Sequence, residues 1–280
     1  MPTNEEIKAL QRSDWESVAP NWDKWDDFLG LSSQHINEWI CQGAKLAPGK
    51  SVLDLASGSG QPALTAAKHI RPGGMVTALD ISPAMTGVIA QKAARARLDN
   101  VEPVVGDMED LNYDSVTYDA VTSRFGFMFC PDLPKAFAEA KRVLKPGGRL
   151  SFVVWDTPAE NKWLAQVQQI MNQVAPGPAP DPKAPNPFRL CDQQELGDLL
   201  RGAGFQRWEI EARAFPYEFD GPEHYWSYVS AISAPVRTRL NSMSEADREK
   251  VHQLVTDEAK KIDIGNRVVY NASTLCVWAE

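Results

Sequence analysis

Residues 51–61, Ser-Val-Leu-Asp-Leu-Ala-Ser-Gly-Ser-Gly-Gln, constrain the fold more than any other stretch of this chain. An apolar strand breaks into small residues and glycines, and a segment rich in Ala and Leu follows, which predicts a strand, a tight turn and a helix. Gly58 and Gly60 can adopt backbone angles that other residues avoid, and they allow a ligand to come close. The first turn of the following helix exposes N–H groups that attract an acidic group. The motif therefore predicts a site for a polar ligand.

Asp54 lies inside the otherwise apolar first strand, where a carboxylate costs free energy unless it is paired or used. The spacing Gly58-x-Gly60-x-x-Ala63 also fits the loose dinucleotide fingerprint. A dinucleotide would bring its pyrophosphate close to the Asp54 carboxylate, which would repel it. A cofactor with a cationic amino group would be attracted instead, so an NAD-dependent oxidoreductase is the less favoured alternative.

Strands alternate with helices from residue 51 to residue 155, which predicts a parallel sheet with right-handed crossovers. The residues Lys145-Pro146-Gly147-Gly148 are predicted to stop the helix that precedes the last of these strands. The strands predicted from apolar runs comprise residues 51–56, 75–79, 102–105, 118–122, 149–155, 205–219 and 266–278.

Helices with an aromatic seam are predicted before this core, over residues 4–45, with Ser13 and Glu16 spaced as a capping box. These helices either pack on the core or cover the glycine turn, and both roles can hold together. Three divisions follow: an N-terminal helical lid (1–45), a cofactor-binding core (46–156) and the remainder of the core sheet (157–280), with a cap inserted at about 220–262. The seam consists of Trp15, Trp22, Trp25, Phe28 and Trp39.

A proline-rich stretch interrupts the last division and excludes a helix or central strand there. It is predicted to be a stiff extended loop, and it serves either as a spacer or as a loop on the substrate side. The prolines are Pro176, Pro178, Pro180, Pro182, Pro185 and Pro187.

Composition excludes several functional classes. Lys and Arg number 29 against 37 Asp and Glu, and this net charge of −8 disfavours nucleic-acid binding. No apolar run approaches the roughly 20 residues of a membrane span. The start of the chain is polar and acidic, unlike a signal peptide. The four cysteines are far apart, which favours reduced thiols in the cytoplasm over disulfides or a metal site.

Three acidic residues stand at or near the ends of successive predicted strands: Asp54, Asp80 and Asp107. In a doubly wound sheet, ligands bind at the carboxyl ends of the strands. Asp80 follows Gly60 by 20 residues, the offset at which an acid accepts from ribose hydroxyls. Asp107 could accept from the amino group of an adenine, with Ile81 and Met108 on the two faces of the ring. Together these positions predict a nucleoside site.

These motifs resemble class I S-adenosylmethionine-dependent methyltransferases. Residues 52–60 resemble the glycine motif of that family, Asp80 its ribose acid, and Gly106-Asp107-Met108 its adenine turn. Residues 143–148 resemble the segment before its fifth strand. The resemblance covers about residues 10–156 closely and is greatest to the small-molecule branch that includes the ubiquinone and menaquinone biosynthesis methyltransferases.

The resemblance implies an α/β fold with a doubly wound, Rossmann-like, mostly parallel seven-stranded sheet and an antiparallel last strand. It implies S-adenosyl-L-methionine as cofactor, with Trp22 in place of a family aromatic residue near the methionine end. Ala56 departs from the family by replacing the usual first glycine. The implied cofactor contacts are Trp22, Asp54, Ala56, Ser57, Gly58, Gly60, Gln61, Asp80, Ile81, Met85, Gly106, Asp107, Met108 and Ser123.

The implied reaction is methyl transfer to a small molecule by in-line displacement, and the chain is compatible with a homodimer. A catalytically idle cofactor-binding protein is the alternative, since it would need the same acids and glycines. An acceptor that must lose a proton needs a base, for which His224 is the candidate. No Asn-Pro-Pro-Tyr follows the fourth strand, which argues against methylation of a base amino group or a glutamine.

Arg124 follows the fourth predicted strand, beside the place where the methyl group should emerge. Its fork of N–H donors suits a carboxylate or phosphate. Two interpretations remain open: an ion pair with Asp132 or Asp156, or an anchor for an acidic substrate. The apolar walls predicted for the second are Phe125, Phe127, Trp226 and Tyr228.

Overall fold

Seven strands form one sheet in the order β3-β2-β1-β4-β5-β7-β6 in the computed structural model, which describes residues 2–177, 181 and 183–280. Strands β1 to β5 run parallel, and β7 is antiparallel to both β5 and β6. The predicted Rossmann-like sheet is confirmed. The strands are β1 Ser51–Leu55, β2 Met75–Asp80, β3 Val101–Val105, β4 Tyr118–Arg124, β5 Leu144–Trp155, β6 Trp208–Phe219 and β7 Val268–Ala279.

Helices cover both faces of this sheet, as expected when parallel strands are joined by crossovers. Strands β1, β2 and β4 are almost entirely buried because helices pack against them on both sides. The helices are α1 Asn4–Lys24, α2 Asp26–Gly43, α3 Ala63–His69, α4 Pro83–Arg95, α5 Leu133–Val143, α6 Lys162–Val174, α7 Gln193–Gly202, α8 Pro222–Ile232, α9 Ala234–Asn241 and α10 Glu245–Lys260.

The N-terminal helices and the helices after β6 meet above the carboxyl ends of the strands. Helix α1 contacts α4, α8 and α9. Its Asn21 and Trp22 donate hydrogen bonds from Nδ2 and Nε1 to the carbonyl oxygens of Ala231 and Ile232, at 3.0 and 3.1 Å. Along the part of the chain that the structure describes, no helix combines the length and apolarity of a membrane span.

Two local predictions are wrong. Ser13 and Glu16 lie within α1, because a capping box formed by Thr3 and Glu6 begins that helix ten residues earlier. The fifth strand was predicted to begin at Arg149, but β5 begins at Leu144, which already pairs with Tyr118 before the ladder resumes, after an irregularity, at Arg149. Helix α5 ends at Val143, in agreement with the stop predicted at residues 145–148. Helix α6 was not predicted at all.

Candidate active site

One cavity lies over the carboxyl ends of the central strands, and its space of about 1500 Å³ includes part of the open solvent at its mouth. Most residues predicted from sequence line it: Trp22, Ala56, Ser57, Gly58, Gln61, Asp80, Ile81, Met85, Gly106, Asp107, Met108 and Arg124. Pro187 also lines it, as a loop on the substrate side would require, whereas Pro178, Pro180 and Pro182 lie outside the described residues.

The glycine loop, residues 56–62, forms the floor of the cavity. Gly58 and Gly60 have φ values of +53° and +111°, the left-handed region that favours glycine. A Cβ at Gly60 would also come within 2.9 Å of Cδ1 of Leu64. Ala56 adopts a φ of +51° despite its methyl group. The loop therefore needs glycine at two positions and carries strain at a third.

Substitution of Ala56 by glycine should relieve that strain. A left-handed conformation costs an L-residue roughly 1–2 kcal/mol, which exceeds the 0.4–1 kcal/mol of chain entropy that glycine loses on folding. We expect Ala56→Gly to raise the free energy of unfolding by about 0.5–1 kcal/mol in thermal or urea denaturation. The control is Ala94→Gly on the exposed face of α4, which should lower it. A loss of stability in both variants would contradict the strain argument.

The Asp80 carboxylate is held rigidly at the end of β2. Oδ2 accepts from the Gly58 N–H at 2.8 Å, and Oδ1 accepts from the Ser82 N–H at 2.9 Å. Burial raises the pKa of Asp80, and these backbone donors oppose that rise. A carboxylate has about four acceptor sites, so both oxygens keep a lone pair for a diol. The fixed carboxylate fits the ribose role predicted for it.

Asp54 and Ser123 lie beneath the loop, not in the cavity lining. The Asp54 side chain is completely buried; Oδ1 accepts from Oγ1 of Thr122 at 2.6 Å, while Oδ2 has no partner within the described residues. The Ser123 Oγ is likewise buried and unpartnered. Desolvation raises the pKa of Asp54 to about 7, although the Thr122 hydrogen bond opposes it. A cationic amino group nearby would satisfy this carboxylate, so the residues fit the cofactor implied by the sequence.

Lys8 of α1 reaches the opposite end of the cavity, where adenine was predicted to bind. Its Nζ lies 2.7 Å from Oδ2 of Asp107 and 2.7 Å from Oε2 of Glu109. Burial by itself would lower the pKa of Lys8, but these two carboxylates outweigh it and raise the pKa. The first helix is therefore tied by a buried ion-pair cluster to the turn that carries Asp107.

Aromatic side chains surround the part of the cavity beyond Arg124, which we term the aromatic chamber. Phe125 stacks on Trp155 with ring centroids 4.1 Å apart and an interplanar angle of 12°. Phe125, at the rim of the chamber, has a φ of +61°. This left-handed backbone conformation is costly for a bulky residue and is typical of functional sites. The chamber consists of Phe125, Trp155, Trp163, Phe215, Tyr217 and Tyr228.

Arg124 has neutral hydrogen-bond partners. Its Nη1 donates to Oγ of Ser33 and Oδ1 of Asn37 on α2, both at 3.1 Å. The predicted ion pair with Asp132 or Asp156 is wrong: Asp132 accepts from the Lys135 N–H as an N-cap, and Asp156 accepts from Oγ of Ser273.

Two of the predicted chamber walls are also wrong. Phe127 lies in the protein core, stacked on Phe137, and does not line the cavity. Trp226 stacks on His252 on the other face of α8. In that helix the buried positions are Tyr225, Tyr228, Val229 and Ile232, which turns Trp226 outward.

His224 lies outside the residues that line the cavity. Its Nδ1 accepts from the Asp220 N–H at 2.9 Å, and its ring packs against Trp25 and Phe28. The structure thus gives the sequence-predicted base no direct contact with the cavity.

Several lining residues were missed from the sequence, chiefly Lys8, Trp155, Trp163, Phe215 and Tyr217. The alternation of Phe215, Tyr217 and Phe219 along β6 was a usable signal, because side chains two apart in a strand share one face. Lys8 and Trp163 had no such local signal, since each reaches the cavity from a helix distant in sequence.

Comparison with known proteins agrees with this geometry. The family model of the ubiE/COQ5 methyltransferase family matches residues 5–177. A demethylmenaquinone methyltransferase from Listeria monocytogenes is 31% identical over 165 residues, 58% of this chain and 69% of that protein. A ubiquinone/menaquinone biosynthesis C-methyltransferase from Brucella anthropi is 29% identical over 217 residues, which are 72% of this chain and 82% of that protein.

Among solved structures, the YcgJ protein of Bacillus subtilis shares the fold, with a TM-score of 0.60 and 18% identity over 88% of this chain and 97% of that one. The match to a methyltransferase family supports the prediction that the protein is an enzyme. It disfavours the two alternatives, a catalytically idle cofactor-binding protein and an NAD-dependent oxidoreductase. The cofactor is S-adenosylmethionine, and the reaction is transfer of its methyl group to a small-molecule acceptor. The chain belongs to the ubiE/COQ5 methyltransferase family.

Proposed function

We propose that S-adenosylmethionine binds along the strand ends, with its amino group toward Asp54, its ribose on Asp80 and its adenine between Ile81 and Met108. The acceptor then binds in the aromatic chamber. The observation that carries this proposal is the Asp80 carboxylate, which two backbone N–H groups fix while its remaining lone pairs stay available for the ribose hydroxyls. The unpartnered Oδ2 of Asp54 supports the position of the amino group.

The chain contributes chiefly positioning to this reaction. The bound cofactor supplies a methyl group on a cationic sulfur, which is already activated toward a nucleophile. Orientation of such a pair can account for about 7–11 kcal/mol of the barrier. Tyr217 and Tyr228 are poor bases at neutral pH, since burial raises the pKa of Tyr217 to about 12 and that of Tyr228 well above its ordinary value. We infer that the chamber walls hold the acceptor in line and exclude water.

A screen of a metabolite library with labelled S-adenosylmethionine tests the activity. Label in any acceptor, dependent on folded protein, supports the assignment. Protein that binds the cofactor in calorimetry but labels no acceptor would favour the idle binder.

We also propose that residues 1–45 act as a lid over a cofactor-binding core formed by residues 46–156. Residues 157–280 supply the remaining strands of the core sheet and include a cap at about residues 220–262. The hydrogen bonds from Asn21 and Trp22 to the end of α8 support closure of the lid against the cap.

The acidic net charge supports the proposal that nucleic acid is not a partner. A cytoplasmic location, supported by four free cysteines, and a homodimer remain proposals, the latter testable by sedimentation.

Loss of the Lys8 cluster should loosen the lid. Removing one partner of a buried ion pair costs about 3–5 kcal/mol because the remaining charge stays buried. We therefore expect Lys8→Met to speed hydrogen exchange in α1 by tenfold or more, and cofactor to slow exchange there in the parent protein. The matched control is Lys24→Met, an exposed lysine on the same helix that forms no ion pair within the described residues. Equal exchange in both variants would show that the cluster does not hold the lid.

A further inference from the structure

Among the residues that the structure describes, Arg124 is a cation without a carboxylate partner, and it lies at the entrance to the aromatic chamber. Its Nη1 bonds to Ser33 and Asn37, while Nε and Nη2 form no hydrogen bond within the described residues. A guanidinium has five N–H donors in a fork that matches the two oxygens of a carboxylate. Part of that fork therefore remains available to a ligand.

The surroundings of Arg124 make this free cation costly. Burial lowers its pKa, and the groups that oppose the change most strongly are Tyr228 and Tyr217, ahead of Asp54 and Asp26. A guanidinium nevertheless stays protonated at neutral pH. A buried charge is tolerated when it is paired or used, and the cavity provides space for an anion beside it.

The walls of the chamber select the shape of that anion. The stacked pair Phe125 and Trp155 presents flat surfaces, and Trp163 lies edge-on to Trp155 at 5.2 Å. The Nε1 of Trp163 is buried and has no hydrogen-bond partner among the residues that the structure describes. Such a donor is normally satisfied, so an acceptor atom on the ligand would complete the chamber.

We propose that the methyl acceptor is a planar aromatic carboxylate whose charged group binds Arg124. This inference rests on the proposed function and names the substrate class of that same site. A phenol would be mostly neutral at pH 7, because phenolic groups have pKa values near 10, whereas a carboxylate carries a full negative charge that can pair with the guanidinium.

Binding of a matched pair of probes tests the charge requirement. In protein saturated with S-adenosylhomocysteine, 2-naphthoate should bind at least tenfold more tightly than 2-naphthamide, which has the same shape without the charge. Cyclohexanecarboxylate, charged but not aromatic, should bind at least tenfold more weakly than 2-naphthoate. Equal binding of the naphthyl pair, or binding of neither, would overturn the proposal.

Two variants assign the effect to residues. Arg124→Met should abolish the preference for 2-naphthoate over the amide, and Arg124→Lys should restore part of it. Trp163→Phe keeps the ring and removes the N–H, and should weaken 2-naphthoate binding several-fold. In each variant the Kd of S-adenosylhomocysteine should stay within about twofold of the parent value.

The cofactor's own carboxylate is the competing ligand for Arg124. If Arg124→Met weakens S-adenosylhomocysteine binding strongly and leaves the naphthoate preference intact, Arg124 serves the cofactor and the proposal is wrong. Failure of the parent protein to bind S-adenosylhomocysteine in calorimetry would instead contradict the cofactor site, a result distinct from either of these.

Discussion

Asp80→Asn should weaken the binding of S-adenosylmethionine by about 10- to 100-fold in calorimetry. Hydrogen bonds to a charged group contribute about 1.5–3 kcal/mol, and 1.4 kcal/mol is a factor of ten in Kd. An amide keeps the size of the side chain but replaces one acceptor oxygen with a donor, which would face an N–H group of Gly58 or Ser82. The affinity for the cofactor therefore decreases for two reasons: the contact with the ribose is weaker, and the glycine loop loses a hydrogen bond that holds it in place.

The control is Asp119→Asn at the opposite end of the sheet. Asp119 also accepts a backbone N–H, from Ser51 at 2.9 Å, and pairs with Lys145. This variant should lose stability but keep the parental cofactor affinity. If Asp80→Asn binds the cofactor as tightly as the parent protein does, Asp80 has no place in the ribose site.

Sequence patterns predicted which residues line the cavity at the strand ends, because their signals are local. Each parallel strand brings its last residue to the same edge, so Asp80 and Asp107 could be placed together from their positions at the end of β2 and just after β3. The strand and helix bounds followed from apolar runs and from Ser82, which does cap α4.

The aromatic chamber was harder to predict because its contacts are distant in sequence. Asn161, the N-cap residue of α6, bonds through its side chain to the backbone of Asp156, Thr157 and Ser273 and forms no cap hydrogen bond to the first turn of the helix. Trp163 enters the chamber through that helix. Trp226 and Tyr228 were both predicted as chamber walls, but the phase of α8 buries Tyr225 and Tyr228 and leaves Trp226 against His252.

The two halves of the cavity differ in how their charges are arranged. In the part of the chain that the structure describes, Asp54 forms no ion pair with a cation and Arg124 forms none with an anion, and the two do not pair with each other. Each is held by neutral hydroxyl or amide groups from Thr122, Ser33 and Asn37. Mutual neutralisation would leave little to attract ligands. Without an ion pair between them, Arg124 keeps donors for an anion in the cavity, while Asp54 stays buried beneath the glycine loop with a raised pKa.

Asp54→Asn should stabilise the apo protein and should weaken cofactor binding. The pKa of Asp54 is about 7 in the folded chain against an ordinary value of 3.8, so ionisation penalises the folded state. That penalty is absent below pH 4, grows as the pH rises toward 7 and is constant above it. At about 1.4 kcal/mol per pKa unit, the parent protein should lose about 2–3 kcal/mol between pH 5 and pH 8 that the neutral variant keeps.

Urea denaturation of both proteins at pH 5 and pH 8 measures this difference, because all other titrating groups are shared. Asp119→Asn provides a control of opposite sign: hydrogen bonds from Ser51 and Lys145 outweigh burial and lower the pKa of Asp119, so that variant should be destabilised at neutral pH. With saturating S-adenosylmethionine the advantage of Asp54→Asn should shrink or reverse, since the cofactor's ammonium stabilises the parent carboxylate. An apo variant less stable than the parent at pH 8 would mean that the Asp54 carboxylate already has a partner that the asparagine loses.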